Sequence, residues 1–304
     1  MRQMTRRKLA LFLVLTAALS AVFHVLIAGA GSIRANSGLY VAGLMWSPGV
    51  AALATQLATE GNLRDLGWRW GKTRYQLLSV ALPLVIVSLT YAVIWLTGLG
   101  GFPDPAFVED EIMGQLDFEV SQTQAILIYA VVSATYGLAA SSLTALGEEI
   151  GWRGFLVPEL ARVSSFTRTA LISGVIWALY HVPAILFADY NSEAPLWYGV
   201  ICFAVMAVGA SVVMAWIRLK SGSVWTAMFF HAAHNVFIQM IFTPLTTDTG
   251  MTAYVIDEFG AGLAVAYAAV AFIFWRMREP VEDVPQPVAL ERRGESPARS
   301  PVTG

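Results

Sequence analysis

Residues 195–217 read PLWYGVICFAVMAVGASVVMAWI, a run of 23 residues without a charged side chain. A helix of about 17–25 apolar residues is long enough to cross the hydrocarbon core of a bilayer. The first charges after the run belong to Arg218 and Lys220, and basic residues at the end of an apolar segment are typical of its cytoplasmic boundary. This stretch alone predicts a membrane-spanning helix.

Similar runs occur along most of the chain. Of its 304 residues, 57% are hydrophobic and 13% are charged, whereas a soluble domain carries about a quarter charged residues. We therefore expect an integral, multi-pass membrane protein, in the inner (plasma) membrane if the source is bacterial, with the lipid bilayer as its surroundings and no nucleic-acid partner. The predicted fold is an all-α, polytopic transmembrane bundle of about eight spans, at residues 9–30, 38–59, 75–98, 123–147, 168–188, 195–217, 222–243 and 253–275.

The distribution of basic residues predicts the orientation of these spans. With the N-terminus inside, cytoplasmic segments hold 18 of the 19 lysines and arginines, and Arg34 is the exception. Short loops rich in Lys and Arg stay on the cytoplasmic side, so both termini and the loop at 60–74 are predicted to be cytoplasmic. The loop at 99–122 carries acidic residues without a basic one, which favours an outward position.

Two regions follow from this organisation. Residues 1–278 form the predicted transmembrane bundle, whose polar motifs fall within a core at about 123–243. Residues 279–304 contain five prolines among charges and small residues. Such a segment buries too little apolar area to order itself, so a disordered cytoplasmic tail is predicted.

The first polar motif lies at the end of the fourth predicted span, where residues 147–155 read GEEIGWRGF. Charged groups inside a bilayer are costly and usually serve function. Glu149 and Arg153 are four residues apart, which places them on one helix face. Glu148 is rotated by about 100° from Glu149 and is left without that partner, which suits a general base. The alternative is that both glutamates lie at the cytoplasmic interface and pair with Arg153 or Arg162.

Histidines supply the second and third motifs, which read WALYH at 177–181 and HAAHN at 231–235. His231 and Asn235 are four apart, so both can donate hydrogen bonds to one oxygen, as an oxyanion site requires. His234 is offset from His231 by about 60° on the helix and shares that face in part. Each histidine has the alternative of a hydrogen bond that joins two helices. His24 has no polar companion in its span and is predicted to be a packing residue.

The three motifs together, in this order on successive apolar helices, resemble the CPBP family of CAAX proteases and bacteriocin-processing enzymes, also called Abi, which includes the Ras-converting enzyme. The resemblance covers about residues 145–238. It departs from the family pattern at Trp177, where the family usually has Phe, and the aromatic character is kept.

The resemblance implies an intramembrane endopeptidase that cleaves peptide bonds near the cytoplasmic face, inside a water-filled cavity, with 123–243 as the catalytic core. Glu148 would activate water with the help of His181, while His231 and Asn235 would stabilise the oxyanion. Glu149 and Arg153 would hold the first motif in shape. The implied substrate is a membrane-associated peptide or protein, either a prenylated CAAX type or a leader-peptide type.

Other readings remain open from the sequence. No cofactor is favoured, and the alternative is a zinc ion held by Glu148, His181 and His231. A transporter or channel would also place Glu and His in the membrane, and a non-catalytic scaffold of the same family is a further alternative.

One geometric difficulty accompanies the catalytic reading. His181 lies roughly 20 Å along its span from Arg168 at 1.5 Å per residue, whereas Glu148 ends its predicted span. Their meeting requires tilted spans, re-entry of residues 151–163, or a cavity that lets the span ends shift by one turn.

Overall fold

The structure is a computed structural model that describes residues 2–279. The predicted disordered tail lies outside these residues, apart from Glu279. Within them the chain forms helices and connections with no β-strand, so the predicted all-helical fold is confirmed. The helices are α1 (Arg2–Ala30), α2 (Leu39–Glu60), α3 (Thr73–Leu96), α4 (Gln122–Val132), α5 (Leu138–Glu149), α6 (Val157–Ala161), α7 (Phe166–Phe187), α8 (Leu196–Ser221), α9 (Val224–Asn235) and α10 (Ala261–Arg276).

Six helical segments among residues 2–279 are long and apolar enough to cross a membrane, which identifies an integral membrane protein. They are Gln3–Ala30, Ala35–Glu60, Thr73–Leu96, Gln122–Ala161, Phe166–Phe187 and Leu196–Ser221. The shorter α10, and α9 with its π-helical continuation Val236–Phe242, occupy the positions of the last two predicted spans. The number eight and the cytoplasmic position of the termini therefore stay predictions.

The fourth segment differs most from its predicted bounds. Helices α4, α5 and α6 form one continuous helix of 40 residues, Gln122–Ala161, with π-helical turns at Ser133–Gly137 and Ile150–Leu156. The predicted end at residue 147 is therefore wrong, and the stretch from 151 continues the helix instead of re-entering separately. A π-turn widens the helix locally and is frequent at functional sites, and the second such turn follows directly after the paired glutamates.

Packing places this second π-turn and α8 at the centre of the bundle. In the apolar 18-residue stretch of α8 that could cross a membrane, 72% of the residues are buried. The corresponding stretch of the 40-residue helix is 17% buried. Every residue from 147 to 157 is nevertheless buried. The long helix thus exposes its first half and buries the part that carries the first motif.

Glycines let α2 approach this buried part closely. A Cβ atom on Gly151 would lie 2.5 Å from Cβ of Pro48, and one on Gly147 would lie 2.7 Å from the ring of Trp46. From the other side, a Cβ on Gly49 would lie 2.4 Å from the carbonyl oxygen of Gly147. Small residues four apart permit such backbone contact between membrane helices. Helix α2 therefore packs directly against the long helix on both sides of the paired glutamates.

We predict that Gly151→Ala destabilises the protein, because the added methyl group overlaps the backbone of α2. Overpacking of this kind costs about 1–3 kcal/mol. Gly29→Ala is the matched control, since a Cβ at that position of α1 meets nothing within 4 Å. Thermal unfolding of both variants in detergent measures the difference, and equal midpoints would contradict the close contact between α2 and the first motif.

Candidate active site

The structure brings the four residues predicted to be catalytic to one cavity. It has a volume of about 130 Å³, and its lining includes Glu148, His181, His231 and Asn235. His24 is not part of this lining; it borders a separate groove beside Ser20, and its ring packs against Tyr180, which lies between the two. The cavity is also lined by Ile33, Val41, Leu44, Met45, Trp177, Tyr180, Ala184, Tyr190, Phe203, Met206, His234, Gln239 and Glu258.

Glu148 is held by two indole rings. Its Oε2 atom accepts hydrogen bonds from the ring N–H groups of Trp152, at 3.0 Å, and Trp177, at 2.9 Å. Its Oε1 atom has no hydrogen-bond partner among the described residues, although the side chain is only 2% exposed. Trp177 stands where the family pattern usually has Phe, and unlike Phe it has an N–H group to donate to Glu148. The carboxylate is thus oriented by neutral donors and keeps one oxygen for the cavity.

Glu149 has different partners from Glu148. Its Oε1 atom accepts from Nη1 of Arg153 at 2.8 Å, as the spacing of four residues predicted, and also from Nδ1 of His231 at 2.9 Å. Arg153 donates in addition to Oγ of Ser211 at 2.9 Å, and its guanidinium lies 4.5 Å from the ring centre of Trp177. Glu149 therefore supports His231 as well as Arg153. Helix periodicity could not reveal this second contact, because the two residues are 82 positions apart.

The hydrogen bonds of His231 and His181 engage Nδ1 in each ring and leave Nε2 without a partner among the described residues. The Glu149 carboxylate can only accept, so His231 donates from Nδ1, and its Nε2 can donate to an oxyanion only when the ring is protonated. His181 donates from Nδ1 to the carbonyl oxygen of Trp177 at 2.8 Å. When the His181 ring is neutral, its Nε2 is consequently an acceptor.

Extension of the fourth segment to Ala161 removes the geometric difficulty raised by the sequence. Glu148 lies 13 residues before this end, which is roughly 20 Å at 1.5 Å per residue. His181 lies at a similar distance from the start of α7. Trp177, one helical turn before His181, then reaches Glu148 directly. The span end is therefore shifted, but by 14 residues and not by the single turn expected from the sequence.

A polar network around His234 was missed by the sequence analysis. His234 Nε2 lies 3.0 Å from Oε1 of Glu258, and its Nδ1 lies 2.7 Å from the hydroxyl of Tyr267. The Oε2 atom of Glu258 accepts from Tyr190 at 2.6 Å and from Gln239 at 3.0 Å. His234 is therefore directed toward Glu258. The sequence placed Glu258 inside a predicted span at 253–275, whereas α10 begins only at Ala261. The acidic pair Asp257 and Glu258 within that apolar run was the signal that could have indicated a polar site.

Zinc held by Glu148, His181 and His231 is the alternative that the sequence leaves open. Across residues 2–279, no three His, Cys, Asp or Glu side chains form a group that could hold a metal ion. We derive no step through a metal, and catalysis without one stays a prediction.

Two connections meet at the edge of the cavity. Asp189, in the connection from α7 to α8, accepts hydrogen bonds from the backbone N–H of Ile33 and the hydroxyl of Ser32, each at 2.7 Å. Partial burial raises the pKa of Asp189, but these hydrogen bonds and nearby Arg34 outweigh it, so its pKa lies below the ordinary value. Since Ile33 lines the cavity, the charged form of Asp189 ties the α1–α2 connection across this edge.

Fold and site define a polytopic α-helical membrane protein with a polar cavity lined by glutamate, histidine and asparagine. Residues 130–237 match the family model described as Type II CAAX prenyl endopeptidase Rce1-like. A curated relative, CAAX prenyl protease 2 of Methanococcus maripaludis, is 29% identical over 136 residues, which cover 43% of this chain and 47% of the relative. The chain thus matches about half the length of that relative.

The matched residues include all three motifs, from Glu148 to Asn235. The resemblance to CPBP-family proteases is therefore confirmed, and residues 130–237 form the Rce1-like part of the chain.

We predict that Glu149→Gln lowers stability, because it leaves the Arg153 guanidinium without its anionic partner in a fully buried position. Removing one member of a buried ion pair costs about 3–5 kcal/mol. Thermal unfolding in detergent gives the measurement, with Glu119→Gln as control, since Glu119 is an exposed carboxylate in the connection after α3. An unchanged midpoint for Glu149→Gln would show that the pair does not stabilise the fold.

Proposed function

We propose that this protein is an intramembrane endopeptidase in which Glu148 activates a water molecule to hydrolyse peptide bonds of membrane-associated substrates. The proposal rests on the hydrogen bonding of Glu148 and on its position at the cavity. Two indole N–H groups orient its carboxylate, and one oxygen remains without a protein partner at a cavity shared with His181, His231 and Asn235.

The proposed reaction begins with a water molecule between Oε1 of Glu148 and Nε2 of His181. Both atoms accept hydrogen bonds, so together they orient the water and Glu148 takes its proton as general base. The oxygen of the water attacks the peptide carbonyl carbon, and the carbonyl oxygen becomes an oxyanion. Glu148 then returns the proton to the leaving amine, which leaves a carboxylic acid and an amine as products.

Stabilisation of the oxyanion is assigned to His231 and Asn235. The Asn235 amide donates without a change of protonation, whereas His231 donates from Nε2 only as an imidazolium. Glu149 keeps that imidazolium in place through the 2.9 Å contact with Nδ1. Preorganised donors of this kind are often the largest single contribution to acyl-transfer catalysis.

The proposed substrate class is inferred from the name of the matching relative and from the family resemblance. The matching relative is named a CAAX prenyl protease, so a prenylated C-terminal peptide is one proposed substrate, and a leader peptide of a membrane-associated precursor is the other. Both are chains that reach the enzyme from a membrane. A transporter or a non-catalytic scaffold is the rival function, and the Glu148 variant below distinguishes them.

We predict that Glu148→Gln lowers turnover by about 10²–10⁴, the range for loss of general acid–base catalysis, with little change in unfolding temperature. The assay uses purified protein and a panel of prenylated and leader-type peptides. His24→Ala is the control that should retain activity, because His24 lies outside the cavity.

Full activity in a well-folded Glu148→Gln protein would exclude the proposed base. Loss of wild-type activity on addition of a strong chelator, restored by zinc, would instead favour the metal-dependent alternative.

The side from which substrates enter depends on the membrane orientation. Family resemblance implies cleavage near the cytoplasmic face, yet Ile33, Tyr190 and Glu258 line the cavity from connections that the basic-residue distribution places outside. These two expectations conflict, and a measurement of the membrane orientation would decide between them.

We predict, from the distribution of basic residues, that a cysteine at Glu119 is labelled from outside intact cells by an impermeant reagent, whereas one at Asp65 is protected. Both positions are exposed in the structure, and Cys202 is replaced by Ser to remove background labelling. This result would place the cavity edge at Ile33 on the outer side. Labelling of Asp65→Cys from outside would reverse the orientation and place that edge on the cytoplasmic side.

A further inference from the structure

Glu258 is a second carboxylate at the cavity, and the proposed mechanism does not use it. Its residue is 3% exposed, but it belongs to the lining of the cavity that Glu148 also borders. Three side chains from three parts of the chain donate to it: His234 of α9, Gln239 beyond α9, and Tyr190 of the α7–α8 connection. The position of this carboxylate is thus fixed from several directions.

The donors around Glu258 include no permanently charged side chain. The Tyr267 hydroxyl contacts Nδ1 of His234 at 2.7 Å and can donate its proton there. The neutral His234 ring then carries its hydrogen on Nε2 and donates it to Glu258. Tyr190 and Gln239 are neutral donors as well. No Lys or Arg is among the described residues that line the cavity, so no side chain of the wall supplies a permanent positive charge to this carboxylate.

The carboxylate also has remaining capacity to accept hydrogen bonds. Its two oxygens offer about four lone-pair positions, and the three donors above occupy one position on Oε1 and two on Oε2. A buried charge is costly until it is paired, and charge-assisted hydrogen bonds in such places are strong. A cationic group entering the cavity would supply the missing charge.

We propose that Glu258 is a specificity-determining residue that binds the ammonium or guanidinium group of a basic substrate side chain near the scissile bond. This inference rests on the proposed peptidase function and adds a substrate preference to it. Glu258 lines the same cavity as Asn235, the proposed oxyanion donor, so a basic side chain at Glu258 and the reacting carbonyl occupy one site. Glu148 and Glu258 also disfavour a substrate carboxylate in the same cavity through like-charge repulsion.

The competing explanation is structural, in which Glu258 only joins the 243–260 connection to the bundle. Both explanations predict that removing the network lowers stability, so stability cannot separate them. Discrimination between substrates can, because a purely structural carboxylate leaves the ratio of rates for basic and neutral peptides unchanged.

The experiment uses pairs of membrane-anchored peptides that differ only by Lys or norleucine at positions flanking the cleaved bond. For the wild-type protein, kcat/KM for the Lys peptide at one position should exceed that for the norleucine peptide about tenfold or more, as expected for a buried charge-assisted contact. In Glu258→Gln this ratio should fall to about one, because the neutral amide no longer attracts the cation. Tyr190→Phe removes one donor but no charge and should keep the preference.

Binding to the catalytically impaired Glu148→Gln protein separates this proposal from the peptidase function. Its Kd values for the Lys and norleucine peptides should differ by a similar factor, whatever the turnover. Equal affinities and equal rates for the two peptides in proteins that retain Glu258 would overturn the role of Glu258, even if Glu258→Gln fails to fold. A wild-type protein that binds the Lys peptide selectively but cleaves neither peptide would support the subsite and overturn the peptidase proposal.

Discussion

The fully buried carboxylate of Glu149 lies between α5 and α9. One of its oxygens accepts hydrogen bonds from both Arg153 and His231. Inside a bilayer such a charge is tolerated only with partners, so α5 and α9 must keep this register. Arg153 extends the constraint to α8 through Ser211. The glycine contacts with α2 and the π-turn after Glu149 bring the backbones near enough for these bonds to form. The cavity takes its shape from this arrangement.

Adjacent carboxylates acquire different chemistry because their partners differ. Glu149 accepts from the Arg153 guanidinium and from His231 and joins parts of the bundle, whereas Glu148 has indole donors and faces the cavity with one free oxygen. Environments that separate two neighbouring titratable groups are the usual basis for assigning acid, base and supporting roles. Trp177 contributes to this difference, since its ring donates to Glu148 while the Arg153 guanidinium stacks on its face.

The cavity as a whole is polar at fixed positions and apolar elsewhere. Glu148 and Glu258 mark two of its polar positions, and aromatic residues such as Phe203 and Tyr180 form much of the remaining wall. A wall of this kind suits a peptide that arrives from a membrane, because apolar side chains of the substrate can replace lipid contacts while polar groups orient one bond. The hydrogen bonds from Ser32 and Ile33 to Asp189 join the α1–α2 connection to the α7–α8 connection at the edge of this cavity.

Much of this organisation was accessible from the sequence. Apolar runs and sparse charge determine a helical membrane protein, and spacing of four residues determines that Glu149 meets Arg153 and that His231 and Asn235 share a face, because helix geometry is local and periodic. Contacts between distant segments are not periodic. Only the tertiary structure decided that Glu149 also holds His231, that the fourth segment continues to Ala161 and brings Glu148 near Trp177, and that His234 is directed to Glu258. The physical reason is that burial and pairing of charge depend on which helices become neighbours, and hydropathy records the length of a helix but not its neighbours.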